Sequence, residues 1–298
     1  MTRILLQHQS MADIFICSAA IVMCTQPFMW MTHWNGTLDF LICQMWHGEA
    51  IYYFAVLIST WNLVFIAFER YMLIKNTHRY LNVKGKHIYA ALFSMHVICL
   101  VFRIPGCLNT KYDEICGKCL AKYYYDTELA ENFKSFYGIF WFGIAYAFPA
   151  AIFMMLYTKI ITALRGRQQA LEEINQRSHV FDKAEYQLTK SGLIVTAAFI
   201  LFMTWDAWGY LFFTFGVIGK KSYEKKSWQS LLGAFLVAVN SCVNPFIYAG
   251  ALPIFRKSLE KTFTFNTKKN RSKHASFLTL TKTKSNVDAN PSNTIMNE

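Results

Sequence analysis

Two polar groups stand in or beside apolar stretches of the sequence, where they could carry charge chemistry. Asp13 interrupts an apolar run near the N-terminus. An ionised carboxylate is expensive at membrane depth and commonly marks a function or a partner. The alternative is an aspartate that is protonated or internally hydrogen-bonded and binds nothing. The pair Glu69-Arg70 closes a second apolar run, where an isolated charged pair often only extends to the membrane interface.

A third polar stretch, at 240–248, reads Asn-Ser-Cys-Val-Asn-Pro-Phe-Ile-Tyr. It lies within the apolar run 231–252, which is long enough to cross a hydrocarbon core of about 30 Å. Proline inside a helix removes one backbone hydrogen bond and clashes with the preceding turn. Pro245 therefore predicts a kink or a loosened turn beside Asn240 and Asn244. The alternative is a tolerated membrane proline without a role.

The cysteine and histidine patterns do not indicate an enzyme. Cys116 and Cys119 form a C-x-x-C pair, but no second pair or histidine follows at metal-site spacing. Disulfides in an oxidising compartment are favoured instead. His33, His47 and Glu49 do not form H-E-x-x-H or a comparable metal motif. Four cysteines in apolar runs are predicted to be inert packing residues: Cys17, Cys24, Cys99 and Cys242.

The elements that position these groups are predicted to be membrane helices. The sequence is 54% hydrophobic and only 16% charged, which fits a chain whose solvent is largely lipid. Apolar spans occur at 4–30, 41–74, 87–104, 133–164, 188–218 and 228–252. The predicted fold class is an all-α transmembrane helical bundle.

The sequence after the last span changes character. Apolar residues recur at helical spacing through 252–263, which predicts a short amphipathic helix on the membrane surface. Residues 266–298 are polar and basic, and they are predicted to be a disordered tail. The predicted domains are therefore a bundle at 1–265 and a tail at 266–298.

The distribution of lysine and arginine predicts the orientation of the spans. Nineteen of these residues fall on the side that holds the tail, and nine fall on the other side. The tail and C-terminus are therefore predicted to be cytoplasmic in a multi-pass protein of the plasma membrane. A basic tail after a membrane helix favours anionic lipid over nucleic acid. Asn35-Gly36-Thr37 is a glycosylation sequon on the predicted outer side.

The ordered motifs resemble those of rhodopsin-like G-protein-coupled receptors over about residues 2–265. The matching residues are Asp13, Glu69-Arg70-Tyr71, Pro149, Trp205 and Asn244-Pro245-x-x-Tyr248. Six of the seven helices of that family are recognisable. Because Met1 begins about where the first cytoplasmic loop should end, we expect a truncated gene model or isoform of a seven-helix receptor.

The resemblance implies a two-state switch at the cytoplasmic end of the bundle. In the family an acidic residue restrains the neighbouring arginine at rest, and the released arginine contacts a heterotrimeric G protein. Glu69 and Arg70 take these roles here. Tyr157 and Tyr248 would then meet Arg70 through water. The implied switch residues are Glu69, Arg70, Tyr71, Tyr157, Asn244, Pro245 and Tyr248.

The resemblance also implies an allosteric sodium site and no other cofactor. An aspartate at the place of Asp13 binds sodium in the family, with polar groups of neighbouring helices. The matching partners are Ser59, Asn240, Ser241 and Asn244, and oxygen donors suit a hard cation.

The activation hinge implied by the resemblance comprises Pro149 and Trp205, the latter beneath the ligand pocket. Here the sequence departs from the family, because Ala207 replaces a proline and Asp206 intrudes.

The outer half is expected to hold the ligand. The resemblance implies a pocket lined by Glu49, Tyr52 and Trp208, with Asp206 as a further lining group. Alternatively, Glu49 faces the aqueous mouth and Asp206 pairs with a neighbouring helix. The family's outer disulfide would join Cys43 to the second outer loop, with Cys119 as its partner. Cys107 and Cys116 would then remain for a second bridge.

The resemblance predicts a receptor for an extracellular peptide or small molecule, and it narrows the ligand class. Tyr52 replaces the aspartate of amine receptors, and Ala238 replaces the Schiff-base lysine of opsins. Residues 184–190 nevertheless look like the segment that enters the sixth helix of invertebrate opsins and melanopsins. Arrestin and a receptor kinase are expected partners of the tail. Three alternatives stay open: an opsin-related receptor without retinal attachment, a non-signalling fragment, and an ion transporter or channel subunit.

Overall fold

The computed structural model describes residues 1–24, 36–43, 45, 49–107, 110–113, 118–121, 128–173, 179–218 and 228–251. The elements in this part are α1 (Thr2–Cys24), α2 (Gly36–Ile42), α3 (Ala50–Lys75), α4 (Thr77–Leu81), α5 (Gly85–Cys107), β1 (Thr110–Asp113), β2 (Lys118–Ala121), α6 (Glu128–Phe142), a π-helical turn (Gly143–Ala147), α7 (Phe148–Glu173), α8 (His179–Thr214) and α9 (Trp228–Ala251). The chain divides into two compact units, Met1–Ile247 and Tyr248–Glu298. All side-chain contacts below lie within the first unit.

Six of the described helical segments are long and apolar enough to cross a membrane. They are Thr2–Val22, Ala50–Lys75, Gly85–Gly106, Ser135–Gly166, Thr189–Thr214 and Trp228–Tyr248. The predicted all-α transmembrane bundle is therefore confirmed. The predicted surface helix and basic tail lie outside the described residues.

Helix α3 is the central element of the first unit. In its most apolar stretch 67% of the residues are buried, against 28% to 33% in the other five spans. It packs against α1, α5, α7 and α8, which fits its apolar character on nearly every side. Because both Ser59 and Arg70 belong to α3, this helix positions two of the predicted sites.

A π-helical turn joins α6 to α7 in one continuous span. Pro149 has no N–H, so it cannot donate the hydrogen bond that a regular helix needs at that position. The N–H of Phe148 instead bonds to the carbonyl of Gly143, five residues back. Such a turn inserts one residue into the helical repeat and often occurs at functional sites. The buried Pro149 therefore follows a local change in side-chain register.

One boundary and one element differ from the sequence prediction. The span predicted at 41–74 begins at Ala50, because Glu49 has a left-handed backbone with φ 57° and this conformation does not continue an α-helix. Residues 41 and 42 belong to the separate helix α2. The antiparallel hairpin of β1 and β2, with Tyr112 opposite Cys119, was not predicted.

Candidate functional site

The buried polar cluster around Asp13 joins α1, α3 and α9. Asp13 is 2% exposed. Its Oδ1 accepts a hydrogen bond from Ser59 Oγ at 3.0 Å, and its Oδ2 accepts one from Asn244 Nδ2 at 3.1 Å. Ser241 also hydrogen-bonds to Asp13. Four of the five residues proposed from sequence as a sodium set are thus in direct contact.

Two members of the cluster were missed from sequence. Gln9 Nε2 donates to Asp13 Oδ1 at 2.9 Å and to Ser59 Oγ at 2.6 Å. Asn62 Nδ2 donates to Gln9 Oε1 at 2.8 Å and to the Leu5 carbonyl at 3.1 Å. Helical spacing could have indicated both, because Gln9 lies four residues before Asp13 and Asn62 lies three after Ser59.

The cluster also presents buried oxygens that the described residues leave unpaired. Asn240 is buried on α9, and the Oδ1 atoms of Asn240 and Asn244 accept no hydrogen bond within the described part of the chain. Buried carbonyl oxygens normally find a donor, a water or a cation. A carboxylate, hydroxyls and amide oxygens form the type of donor set that suits a hard cation.

The second buried polar site lies at the far end of α3 and holds Glu69 and Arg70. Arg70 Nε lies 3.4 Å from Glu69 Oε2, and both side chains are nearly inaccessible. Glu69 Oε1 accepts hydrogen bonds from Thr2 Oγ1 on α1 and from Tyr80 Oη on α4, the latter at 2.9 Å. Burial raises the pKa of Tyr80, the hydrogen bond with Thr2 opposes this shift, and the Glu69 charge adds to it. The ammonium nitrogen of Lys75 lies over the ring of Tyr71, 5.6 Å from the ring centre.

Tyr157 lies close to α8 at the same end of the bundle. It is buried on α7, hydrogen-bonds to Thr196, and interacts electrostatically with Arg70. Its ring occupies space that a side chain at Gly192 would need, because a Cβ there would collide with the Tyr157 hydroxyl. The glycine thus permits the close approach of α7 to α8. Tyr248 lies in α9, in the second unit.

Trp205, which the resemblance implies lies beneath the ligand pocket, has an exposed side chain, and its role in the hinge stays a prediction. It is 42% exposed, and its Nε1 donates to the Gln229 carbonyl of α9 at 3.2 Å. The next residue, Asp206, is buried and accepts a hydrogen bond from Tyr53 at 3.3 Å. Successive helical residues point about 100° apart, so the buried position of Asp206 leaves Trp205 at the edge.

The three residues proposed for the ligand pocket have different neighbours. Glu49 is partly exposed before α3 and interacts electrostatically with Asp206. Tyr52 is buried and donates to the Ala234 carbonyl of α9 at 3.1 Å. Trp208 is 40% exposed, and its ring packs against Phe142. Their role as a pocket stays a prediction.

The buried cation Arg103 was not singled out from sequence. Arg103 on α5 donates to Tyr137 Oη at 3.0 Å. Its guanidinium lies 5.4 Å from the ring centre of Tyr53 and 5.3 Å from that of Trp141. Gly106 allows this arrangement, because a Cβ there would collide with Arg103 and Tyr137.

The prediction of inert packing is wrong for two cysteines. The structure pairs Cys17 of α1 with Cys242 of α9 as a disulfide, with Cα atoms 6.6 Å apart. Helix packing brings the two together across 225 positions, which spacing alone does not reveal. Cys99 is free and buried, as expected.

Cys43 is disulfide-bonded. The side chain of its proposed partner Cys119, and Asn35 with its glycosylation site, lie outside the described residues.

These features define a multi-pass helical membrane protein. Within the described residues it has a buried acidic cluster between α1, α3 and α9, and a buried ion pair on α3. The family described as "7 transmembrane receptor (rhodopsin family)" matches residues 1–248. The chain belongs to this family of receptors.

Similar proteins include arthropod opsins. The compound eye opsin BCRH2 of Hemigrapsus sanguineus is 28% identical over 214 residues, which is 67% of this chain and 54% of that protein. Opsin Rh4 of Drosophila virilis is 25% identical, and that of Drosophila melanogaster 26%, each over 145 residues, which is 45% of this chain and 37% of theirs. The chain thus spans about half or less of the length of the curated relatives it matches.

Proposed function

We propose that this receptor passes an extracellular ligand signal to a heterotrimeric G protein through Arg70. The observation that carries the proposal is the buried ion pair of Glu69 and Arg70. An arginine that is charged at every physiological pH is held inside the bundle by its neighbour. Its release would present a guanidinium, a group that binds carbonyl and carboxylate oxygens strongly.

The proposed resting state depends on three elements that meet at one carboxylate. Thr2 from α1 and Tyr80 from α4 both donate to Glu69, on the oxygen that Arg70 does not approach. Ligand binding would favour the state in which this group of contacts opens. Any ligand can do so only by its difference in affinity for the two states.

In the proposed arrangement the end of α3 with Arg70 faces the cytoplasm of a cell whose plasma membrane holds the receptor. The C-terminus lies on the same side, where arrestin and a receptor kinase are further proposed partners. A peptide or small molecule is the proposed extracellular ligand. The basic segments on the Arg70 side support this orientation.

Basal nucleotide exchange tests the proposal without a known ligand. We would reconstitute the full chain in lipid nanodiscs with purified G-protein heterotrimers of each major class. Glu69→Gln weakens the restraint, so it should raise the exchange rate on at least one heterotrimer. Adding Arg70→Ala to that variant should return the rate to that of empty nanodiscs.

The matched control is Lys86→Ala in the Glu69→Gln background. Lys86 is an exposed basic residue in the first turn of α5, so its removal should leave the raised rate nearly unchanged. If the raised exchange rate survives Arg70→Ala, the proposed switch is wrong.

We also propose that sodium binds at the Asp13 cluster and favours the resting state. Asp13, Ser59, Asn240, Ser241 and Asn244 would hold the ion, which would supply the positive charge that the buried carboxylate lacks. The unpaired Oδ1 atoms of the two asparagines support this proposal.

An opsin-related receptor without retinal attachment is the second candidate, and the names of the relatives favour it. Ala238 cannot form a Schiff base, so retinal added to the purified chain should leave no borohydride-reducible adduct. This candidate predicts that retinal or light still changes the nucleotide exchange rate. If neither changes the rate, the opsin-related alternative is excluded and the peptide or small-molecule receptor remains.

A further inference from the structure

The amide of Gln9 fills the space between two oxygens of the Asp13 cluster. Its Nε2 lies 2.9 Å from Asp13 Oδ1 and 2.6 Å from Ser59 Oγ, and these two oxygens are 3.0 Å apart. The three atoms form a small triangle. Gln9 itself is 0% exposed, so this contact lies wholly inside the bundle.

The chemistry of the neighbours fixes which end of the amide faces Asp13. A carboxylate only accepts hydrogen bonds when ionised, so the NH₂ end of Gln9 must face it. The other end, Oε1, accepts from Asn62 Nδ2 at 2.8 Å. Asn62 is held in turn by its bond to the Leu5 carbonyl. A reversed amide would place two acceptors together and two donors together.

A hard cation that bridged Asp13 and Ser59 on the side of Gln9 would lie close to this nitrogen. Calcium, which is similar in size to sodium, lies about 2.3–2.6 Å from its oxygen ligands. The Gln9 nitrogen, 2.6 Å from Ser59 Oγ and 2.9 Å from Asp13 Oδ1, is within about 0.3 Å of that range from both oxygens. An amide NH₂ and a metal ion cannot occupy the same place, so one excludes the other.

We infer that the side-chain amide of Gln9 competes with sodium for Asp13 and Ser59. In the absence of the ion this amide hydrogen-bonds to both residues. Sodium binds only after the amide is displaced. The inference rests on the proposed sodium site. It makes Gln9 the residue that sets the affinity of that site, because binding must break two hydrogen bonds of Gln9 and disturb a third to Asn62.

A sodium titration of thermal stability tests the inference. The full chain in detergent micelles would be unfolded at increasing NaCl, with choline chloride added to hold ionic strength constant. Gln9→Leu removes the amide at similar volume, and it should lower the sodium concentration for half-maximal stabilisation at least about tenfold relative to wild type, since two hydrogen bonds no longer compete.

Three further variants define the site. Gln7→Leu is the matched control, because Gln7 is exposed on the same helix, and its titration should equal that of wild type. Asp13→Asn added to Gln9→Leu should abolish the sodium response. Asn62→Leu releases Oε1 of Gln9 and should shift the titration in the same direction as Gln9→Leu. It keeps the inference testable if Gln9→Leu does not fold.

The inference is overturned if Gln9→Leu and wild type give the same titration, or if Gln9→Leu still responds to sodium after Asp13→Asn. Where Gln9→Leu does not fold, an unshifted Asn62→Leu titration overturns it. This readout needs no G protein. A flat sodium titration therefore leaves the Arg70 proposal standing, and a failed exchange assay leaves the sodium result standing.

Discussion

Asn244 of α9 donates a hydrogen bond to Asp13 of α1 across 231 positions of sequence. Ser59 of α3 bonds to the same carboxylate, so one buried group joins three spans. A polar group in this environment is costly unless its partners are supplied. The cluster therefore constrains how α1, α3 and α9 pack. It also offers oxygen ligands to a cation.

We predict that Asp13→Asn destabilises the bundle. The substituted amide offers one acceptor where the carboxylate offered two, so at least one of the donors from Gln9, Ser59 and Asn244 loses its partner. A buried unsatisfied polar group costs about 1–3 kcal/mol. The thermal unfolding midpoint of the detergent-solubilised chain should fall by several degrees. Ser18→Ala removes an exposed hydroxyl from the same helix and should change it little; equal midpoints for the two variants would contradict the prediction.

Tyr80 gives a prediction about pH dependence. Its folded pKa lies above the unfolded value of about 10, so its proton stabilises the folded state. This contribution is complete below about pH 10 and is lost as the pH rises through the folded pKa. Above pH 10 the unfolding midpoint of wild type should fall more steeply than that of Tyr80→Phe. The exposed Tyr89 supplies the control, since Tyr89→Phe should retain the wild-type slope. Parallel slopes for wild type and Tyr80→Phe would refute the prediction.

The six spans could be predicted because span length and apolar composition are properties of local sequence. Asp13, Ser59 and Asn244 could be brought together only through a family resemblance, since nothing local links α1 to α9. Gln9 and Asn62 were accessible to helical spacing but were not identified as site residues. The sequence did not indicate the left-handed backbone at position 49, because this position holds a glutamate and not the glycine or asparagine that usually adopts it.

The side chains of α8 show a different limit of sequence reasoning. The motif implied that Trp205 lies beneath the ligand pocket, yet its side chain is exposed and that of its neighbour Asp206 is buried. An apolar helix in lipid has no polar face that shows which side points inward. The hydrophobic pattern of α8 therefore could not decide whether Trp205 or Asp206 is buried. The Tyr53 hydroxyl, which bonds to Asp206, belongs to another helix and only the packed structure identifies it.

Gly192 and Tyr157 give a prediction about the contact of α7 with α8. Gly192→Ala places a Cβ against the Tyr157 hydroxyl, so the helices must separate or the tyrosine must move. Overpacking of this kind costs about 1–3 kcal/mol. The unfolding midpoint should therefore fall, and Tyr157→Phe should recover part of the loss because it removes the colliding oxygen. The double-mutant cycle should be non-additive.

Gly166 is the matched control for that substitution. It also lies in a membrane helix, but a Cβ there has no atom within 4 Å. Gly166→Ala should leave stability unchanged or raise it by about 0.5–1 kcal/mol, since alanine favours the helix. If Gly192→Ala has the same effect on stability as Gly166→Ala, the contact of Tyr157 with α8 does not require a glycine at position 192.

Arg103 gives a prediction about whether the contact with Tyr53 and Trp141 needs a guanidinium or only a positive charge. Its guanidinium lies 5.4 Å from the ring centre of Tyr53 and 5.3 Å from that of Trp141, and a desolvated cation–π contact contributes about 2 kcal/mol. Arg103→Met should lower the unfolding midpoint most. Arg103→Lys keeps the charge but loses the planar fork, so its midpoint should lie between those of Arg103→Met and wild type. The exposed Arg79 is the control, because Arg79→Met should have little effect. Should lysine restore the full midpoint, charge alone would account for the site.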